Sequence, residues 1–248
     1  MKTSSFFLLF FFLFACSSDV SPAITKKDVV SEEANPKPEL VENEIKENNE
    51  EKVQMVLEFN LPNEQVTINL DGIEILNEYL TGASNRQEQI DKMILTPVKL
   101  PEYDTLYLLQ FSCYNDNCSY LLLDQKDEGR SFLLADLSKI LKFAISDDNN
   151  KLLMVFRRIN EEGNLILQKD NLLVIDLDSW ETLSVSTNSQ EKFANNYKVP
   201  IMDANWNQDH SITISTPRLK TPTEENLIKW YESIDKTTKN QKLFIEGM

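Results

Sequence analysis

The chain has 248 residues, 41% of them hydrophobic, and its 40 acidic and 25 basic side chains give a formal net charge of -15. Lys and Arg are not clustered as they are in proteins that bind a phosphate backbone, so we exclude nucleic acid as a partner. The hydrophobic fraction is sufficient for a core, and the length is that of one domain once the ends are trimmed.

The first residues of the chain have the pattern of an export signal. Met1-Lys2 is a short cationic start, and residues 6–14 are an unbroken apolar run, too short to span a hydrocarbon core of about 30 Å. The run closes with Leu13-Phe14-Ala15-Cys16, which resembles the lipobox of bacterial lipoproteins. The resemblance implies a signal peptide over residues 1–15 and attachment of lipid, palmitate among its acyl chains, to Cys16. It places the protein in the bacterial cell envelope, lipid-anchored to the membrane on the extracytoplasmic side.

The segment after the signal is polar. Residues 16–52 contain no aromatic side chain and are rich in Glu, Asn, Lys, Ser and Pro. Such a composition offers too little apolar surface to offset the entropy of ordering the chain. We therefore expect the lipidated Cys16 to be followed by a disordered acidic tether up to residue 52, and a single β-rich globular domain to cover residues 53–248.

The domain is expected to begin with strands and then helices. Residues 53–59 and 65–70 have the composition of two strands joined by a turn. Residues 73–80 have the apolar spacing of a helix. Ser84 has the pattern of a helix N-cap, and the helix that it opens is expected to continue until Pro97 ends it.

Two cysteines frame a predicted β-hairpin. Cys113 and Cys118 lie at the ends of the turn-prone residues 114–117, between two strand-like apolar runs. Facing cysteines on paired strands have the Cα separation of about 5.5 Å that a disulfide needs, and an exported protein enters an oxidising compartment. Metal binding is the alternative, but zinc takes about four ligands and His210 is the only histidine. We predict a disulfide between Cys113 and Cys118.

The middle of the chain is expected to be a β-meander. Turn-prone residues recur about every ten positions between 131 and 185, which predicts consecutive antiparallel strands. Within 143–185, the sequences Ile-Ser-Asp-Asp-Asn-Asn-Lys-Leu-Leu (145–153) and Val-Ile-Asp-Leu-Asp (174–178) resemble a single β-propeller blade. A closed propeller needs about four or more such blades, and the domain is long enough for about three sheets. The predicted fold class is mainly β with a few helices (α+β), as an antiparallel meander in a partial propeller-like or curved sheet.

Motifs for catalysis, cofactors and metals are not found, and we predict no residue for these roles. The five glycines lie singly, so no glycine-rich loop exists to hold a phosphate. His210 stands between Asp209 and Ser211, but neighbours in a strand point to opposite faces and form no triad. Four aromatic residues near polar loops are candidates for a surface that stacks on sugars or anchors a protein, with core filling as the alternative role of each: Trp180, Tyr197, Trp206 and Trp230.

Two functional hypotheses follow from the sequence. The first is a membrane-anchored extracytoplasmic lipoprotein that acts as a binding or interaction module, with the bilayer at Cys16 and an unidentified protein or glycan as partners. The second is an exported hydrolase that acts on cell-wall or environmental glycans through paired carboxylates. A cleft with two carboxylates about 5–10 Å apart would favour the hydrolase.

Overall fold

The computed structural model of the protein describes residues 22–29, 37–47, 50–100, 103, 105–126, 129–162, 165–187, 193 and 196–247. The predicted signal peptide (1–15) and the predicted lipidation site, Cys16, lie outside these residues. The described part of the chain is mainly β with three α-helices, and its strand pairs are antiparallel. The predicted fold class is therefore confirmed.

The first sheet has four strands in the order β1-β4-β3-β2. Their bounds are β1 (Ile24–Asp28), β2 (Glu39–Glu47), β3 (Glu50–Leu61) and β4 (Glu64–Asn69). Two helices follow, α1 (Glu74–Gly82) and α2 (Arg86–Ile90). The residue that caps α2 is Asn85, whose side chain accepts a hydrogen bond from the Glu88 amide, and not the predicted Ser84.

The predicted coil over residues 16–52 is wrong where β1 and β2 lie. Ile24 is 1% exposed and packs in a core cluster of the first sheet, and Leu40 packs against the same cluster. β1 pairs along β4, and β2 pairs along β3. The two segments are too polar to form a core alone, but they order because β3 and β4 supply both hydrogen-bond partners and apolar surface. The globular unit therefore begins before Val53.

The second sheet is a meander of seven strands in the order β11-β10-β9-β8-β7-β6-β5. The first four are β5 (Ile94–Pro97), β6 (Leu106–Tyr114), β7 (Asn117–Asp124) and β8 (Arg130–Ile145). The last three are β9 (Lys151–Glu162), β10 (Leu165–Asp176) and β11 (Glu181–Thr182). Each strand pairs with its neighbours in sequence, as a meander requires.

Strand β8 bends and divides this sheet into two halves. Its residues 130–138 pair with β7, and its residues 139–145 pair with β9. Leu137, at the bend, has a φ of 42°, which is rare for a bulky side chain and places the backbone outside the strand region. The two halves fold onto each other around one core cluster, in which the rings of Tyr120 and Phe156 have centroids 5.7 Å apart.

The third sheet has four strands in the order β12-β15-β14-β13. Their bounds are β12 (Val185–Thr187), β13 (Asp203–Trp206), β14 (Ile212–Pro217) and β15 (Thr238–Ile245), with α3 (Glu224–Glu232) between β14 and β15. Thr223 caps α3, because its side chain accepts a hydrogen bond from the Asn226 amide.

The sheets pack face to face in succession around three core clusters. The first cluster joins the first sheet to one face of β6 and β7, and the second fills the space between the two halves of the second sheet. The third joins β9 and β10 to the third sheet. Along β9, Leu152 and Met154 point into the second cluster and Leu153 into the third, as alternation in a strand dictates. Both halves of the second sheet are thus covered on two faces.

A buried ion pair connects the second sheet to the chain before β13. Asp170 is 0% exposed, and its two carboxylate oxygens accept hydrogen bonds of 2.7 and 2.8 Å from the Arg157 guanidinium. The amide of Ile201 donates to the same carboxylate at 2.6 Å. The hydrogen bond to Asp170 is the largest cause of the raised pKa of the Arg157 guanidinium.

Candidate functional site

The main candidate site is a groove at the open side of the second sheet, which we name the β5–β8 groove. One wall is formed by residues 96–100, which include the end of β5, and the other by residues 140–143 and Ile145 of β8. Leu108 of β6 completes the lining, and the enclosed volume is about 550 Å³. Pockets for small molecules have volumes of about 300–1,000 Å³, so the groove is large enough to hold a ligand.

The walls of the groove are edges of strands and not faces of sheets. Successive side chains of a strand point to opposite faces, yet four consecutive residues of β8 and five consecutive residues from Thr96 onward line the groove. A cleft can contact consecutive residues of a strand when it runs along the edge of that strand. Among the described strands, β5 pairs only with β6, and residues 139–145 of β8 pair only with β9.

Local sequence features leave the edges of β5 and β8 that line the groove without a further partner among the described strands. Pro97 ends β5, and its ring nitrogen carries no hydrogen to donate to a further strand. In β8 the register shifts between Ile140 and Lys142, which leaves Leu141 as the extra residue of a bulge. The Leu141 side chain is 41% exposed and lines the groove.

The charges in the groove are positive. Apart from Lys99 and Lys142, its lining residues carry no charge. The Lys142 ammonium donates to the Asn205 side-chain oxygen at 2.6 Å and lies 3.7 Å from the Asp203 carboxylate. Lys99 is exposed. This cationic, largely apolar groove stands out in a chain whose net charge is -15.

Two further clefts in the described part of the chain are more polar. One is lined by Trp206, Asp209 and Lys242 among others, and the other, of about 280 Å³, by Asp136, Leu137 and Arg158 among others. Hydrogen bonds from Lys242 and Ser211 lower the pKa of Asp209 to about 2. Each of these clefts contains one carboxylate, and the β5–β8 groove contains none. The paired carboxylates that a glycoside hydrolase needs are therefore absent from all three.

The two predicted disulfide cysteines meet at the tip of the β6–β7 hairpin. Cys113 and Cys118 form a disulfide with a Cα–Cα distance of 4.1 Å. Asn115 and Asp116 form the turn, and both have positive φ angles, 48° and 62°, as a type I′ turn requires. The predicted pairing of Cys113 with Cys118 is therefore confirmed.

The four aromatic candidates pack against different parts of the molecule. Trp230 is 8% exposed, and its indole N–H donates to the Thr237 carbonyl at 2.8 Å. Trp206 packs against the third core cluster, whereas Trp180 and Tyr197 pack against the second. Each ring therefore contributes to packing, and a binding surface shared by the four stays a prediction.

Cationic side chains cover the two aromatic rings that pack against the second cluster. The Arg130 guanidinium lies 4.6 Å from the centre of the Trp180 ring, and that of Arg158 lies 4.1 Å from the centre of the Tyr197 ring. The Tyr197 hydroxyl is also within hydrogen-bond distance of the Ser138 hydroxyl, at 2.8 Å. Their faces are thus occupied by neighbours of the same chain.

The functional residues that sequence reasoning missed are those of the groove. Residues 94–97 were expected in a helix, but they form β5, and Ile94 is 53% exposed. A signal was present in Ile94-Leu95-Thr96-Pro97, because β-branched residues followed by Pro are typical of an edge strand. The bulge at Leu141 has no comparable signal in the sequence.

The described residues contain no group of three or more His, Cys, Asp or Glu side chains placed to hold a metal ion. Among the same residues, no helix has the length and apolar content needed to cross a membrane. In comparisons with known proteins, the chain matched no family model, no curated protein and no solved structure.

Proposed function

We propose that this protein is a lipid-anchored extracytoplasmic lipoprotein whose β-rich domain acts as a binding module, with the β5–β8 groove as its ligand site. The observation that carries the proposal is the groove itself, with its volume of about 550 Å³, its apolar walls and its two lysines. Ligand pockets combine an apolar lining with a few polar or charged groups that fix the orientation of the ligand. The groove has this combination.

The anchor is supported by the sequence. Leu13-Phe14-Ala15-Cys16 closes an apolar run and resembles a lipobox. Lipid at Cys16 would hold the binding module at the bilayer on the extracytoplasmic side of the cell envelope. A disulfide between Cys113 and Cys118 agrees with this location, because such bonds persist in oxidising compartments. The partner is a protein or a glycan of the envelope or its surroundings.

The hydrolase alternative lacks a supporting observation. Its chemistry needs two carboxylates on either side of a bound glycosidic bond. The three clefts formed by described residues contain one carboxylate at most. Binding without catalysis is the simpler reading of an apolar groove with lysines.

The proposal is tested with a matched pair of substitutions on one strand. Leu141 and Leu133 both lie on β8, and both are 41% exposed, but Leu141 lines the groove and Leu133 does not. We expect Leu141→Glu to abolish binding of an apolar anion to the groove, since it places a carboxylate among apolar walls. Leu133→Glu should leave binding unchanged, and both variants should fold because neither side chain is buried.

The probe is 1-anilinonaphthalene-8-sulfonate, an apolar anion whose fluorescence rises on binding. The protein is the chain from residue 16 onward with Cys16→Ser, so that no lipid competes. The expected result is a saturable rise for the parent and for Leu133→Glu, and a titration at least about tenfold weaker for Leu141→Glu. If the two variants bind the dye with equal affinity and their circular dichroism is unchanged, the groove is not a binding site.

A further inference from the structure

We infer that the β5–β8 groove binds an extended acidic peptide, which adds to the open edge of β8 as a further antiparallel or parallel strand. This inference rests on the proposed function, because it names the ligand class of the same groove. Strand addition to an exposed sheet edge is a common mode of peptide recognition, in which main-chain hydrogen bonds supply affinity and side-chain contacts supply specificity.

The first argument is the direction of the main-chain groups of β8. The Ser146 amide donates to the Lys151 carbonyl at 2.9 Å, which fixes the phase of the antiparallel ladder. With the register of β8 and β9, Ala144 is then a hydrogen-bonded residue facing β9. The amides and carbonyls of Phe143 and Ile145 consequently point away from β9, and among the described strands only β9 pairs with residues 139–145 of β8.

The second argument is the space along this edge. Residues 140–145 of β8 span about 20 Å at about 3.3 Å per residue, enough for a strand of about six residues. The side chains of Ile140, Phe143 and Ile145 are partly buried against the second core cluster and line the groove. Apolar side chains on one face of an added strand would contact these three residues and extend the cluster.

The third argument is that the opposite wall offers fewer hydrogen-bond donors. Residues 96–100 form that wall, and Pro97 has no amide hydrogen. The amide of Val98 already donates to the Leu106 carbonyl at 2.8 Å. An added strand therefore finds its donors on β8, and we expect it to use one of its own edges for pairing.

The fourth argument is charge complementarity. Both charged residues of the lining are lysines, whereas the chain as a whole has a net charge of -15. Lys99 is exposed, and no ion pair joins it to another described residue. A peptide with carboxylates on the face opposite its apolar residues would meet the Lys99 ammonium, which would repel a basic peptide. The Lys142 ammonium already has Asp203 and Asn205 as neighbours.

The experiment uses three fluorescent peptides of seven residues, in which Glu alternates with Val, with Leu or with Phe. Binding of each peptide to the chain from residue 16 onward (Cys16→Ser) is measured by fluorescence anisotropy. We expect saturable binding of at least one of the three. Replacing Glu by Lys in that peptide should weaken binding by at least about tenfold. Lys99→Glu in the protein should weaken it by about fivefold or more, whereas the matched variant Lys27→Glu, on the exposed side of β1, should not.

Two N-methylated isomers of the binding peptide test the strand pairing directly. One isomer carries N-methyl groups on its odd residues, and the other carries them on its even residues. Because a strand uses the amides of alternate residues to pair with one edge, one isomer should bind at least about tenfold more weakly than the other. Equal binding of the two isomers would overturn strand addition.

The remaining outcomes separate this inference from the proposed function. If no alternating peptide binds while the anilinonaphthalene dye still binds in a Leu141-dependent way, the groove is a ligand site but not a peptide site. Displacement of that dye by palmitate with no peptide binding would assign the groove to a lipid and also overturn the inference. If neither the dye nor the peptides depend on Leu141, both proposals fail.

Discussion

At the scale of single residues, Asp170 has the least tolerance for change. Its carboxylate is fully buried and receives hydrogen bonds from Arg157 and from the Ile201 amide. Removing one partner of a buried ion pair leaves the other charge without compensation, whereas replacing both by apolar residues is often neutral. The two kinds of substitution therefore distinguish the cost of an unpaired charge from the value of the pair.

We predict that Asp170→Ala lowers the free energy of unfolding by about 3–5 kcal/mol, because the partly buried Arg157 guanidinium then loses its carboxylate partner and the Ile201 amide loses its acceptor. The double substitution Arg157→Met with Asp170→Leu should recover most of this loss. Urea denaturation followed by circular dichroism measures both. As a control, Glu225→Ala removes the exposed ion pair with Lys229 and should leave the midpoint unchanged. A single Asp170 variant as stable as the parent would contradict the assigned role.

Contacts between residues that are close in the sequence could be predicted, whereas contacts between distant residues could not. Cys113 and Cys118 are five positions apart, and the turn between them is visible in the sequence, so their pairing could be predicted. Asp170 meets the amide of Ile201, 31 positions away, and no sequence pattern marks such a contact. Trp230 similarly appears in the sequence as an aromatic near polar residues, and its burial against Thr237 follows from the packing of α3.

At the scale of elements, the β6–β7 hairpin is stabilised by its turn as well as by its disulfide. Asn115 and Asp116 adopt the left-handed conformation that these residue types tolerate best, and the turn closes without strain. The strands continue into the core, where Tyr107, Leu109 and Leu121 are buried. The disulfide at the tip therefore adds to a hairpin that packing already holds.

We predict that reduction of the Cys113–Cys118 disulfide lowers the free energy of unfolding by about 2 kcal/mol, because the loop it closes is short. The domain should remain folded at moderate temperature. Denaturant midpoints with and without reductant measure the effect, and Cys113→Ser with Cys118→Ser should show no response to reductant. Unfolding on reduction alone would mean that the bond supports more than the hairpin.

Strands and helices could be predicted where their own residues show an apolar pattern. β6, β7 and β9 each contain a continuous apolar run, because both faces of these strands are buried over that run. Such runs are typical of strands covered on two sides. β1 and β2 lack this signal, since their order depends on pairing with β4 and β3. β5 is four residues long and follows α2 closely, so its apolar residues fitted a continued helix equally well.

At the scale of the whole molecule, the order of the layers depends on which face each strand presents. The alternation along β9 places successive side chains in two different core clusters. The sequence indicates a meander, but the bend at Leu137 decides that its two halves fold onto each other. The same bend separates the part of β8 that pairs with β7 from the part whose edge forms the groove.

The first sheet also changes the distance between the anchor and the folded domain. Ala23 is already part of the first core cluster, so six residues separate Cys16 from the domain, and seven steps of the chain join Cys16 to Ala23. At about 3.5 Å per residue, this connection reaches at most about 25 Å. A tether up to residue 52 would have allowed a much larger distance. With the proposed lipid at Cys16, the first sheet is therefore expected to lie close to the membrane surface.

The last prediction concerns the proposed lipid anchor at Cys16. Cys16→Ser should remove the lipid and release the protein from the membrane or leave it unprocessed, because the resemblance to a lipobox assigns the lipid to that residue and one signal of membrane attachment is then lost. Fractionation of the cell envelope and metabolic labelling with a palmitate analogue measure the two effects. The double variant Cys113→Ser with Cys118→Ser is the matched control, and it should keep both the label and the membrane association. If the Cys16→Ser variant still carries the label, the lipid is attached to another residue. If the variant stays at the membrane without the label, the folded domain binds the bilayer or a membrane protein by itself.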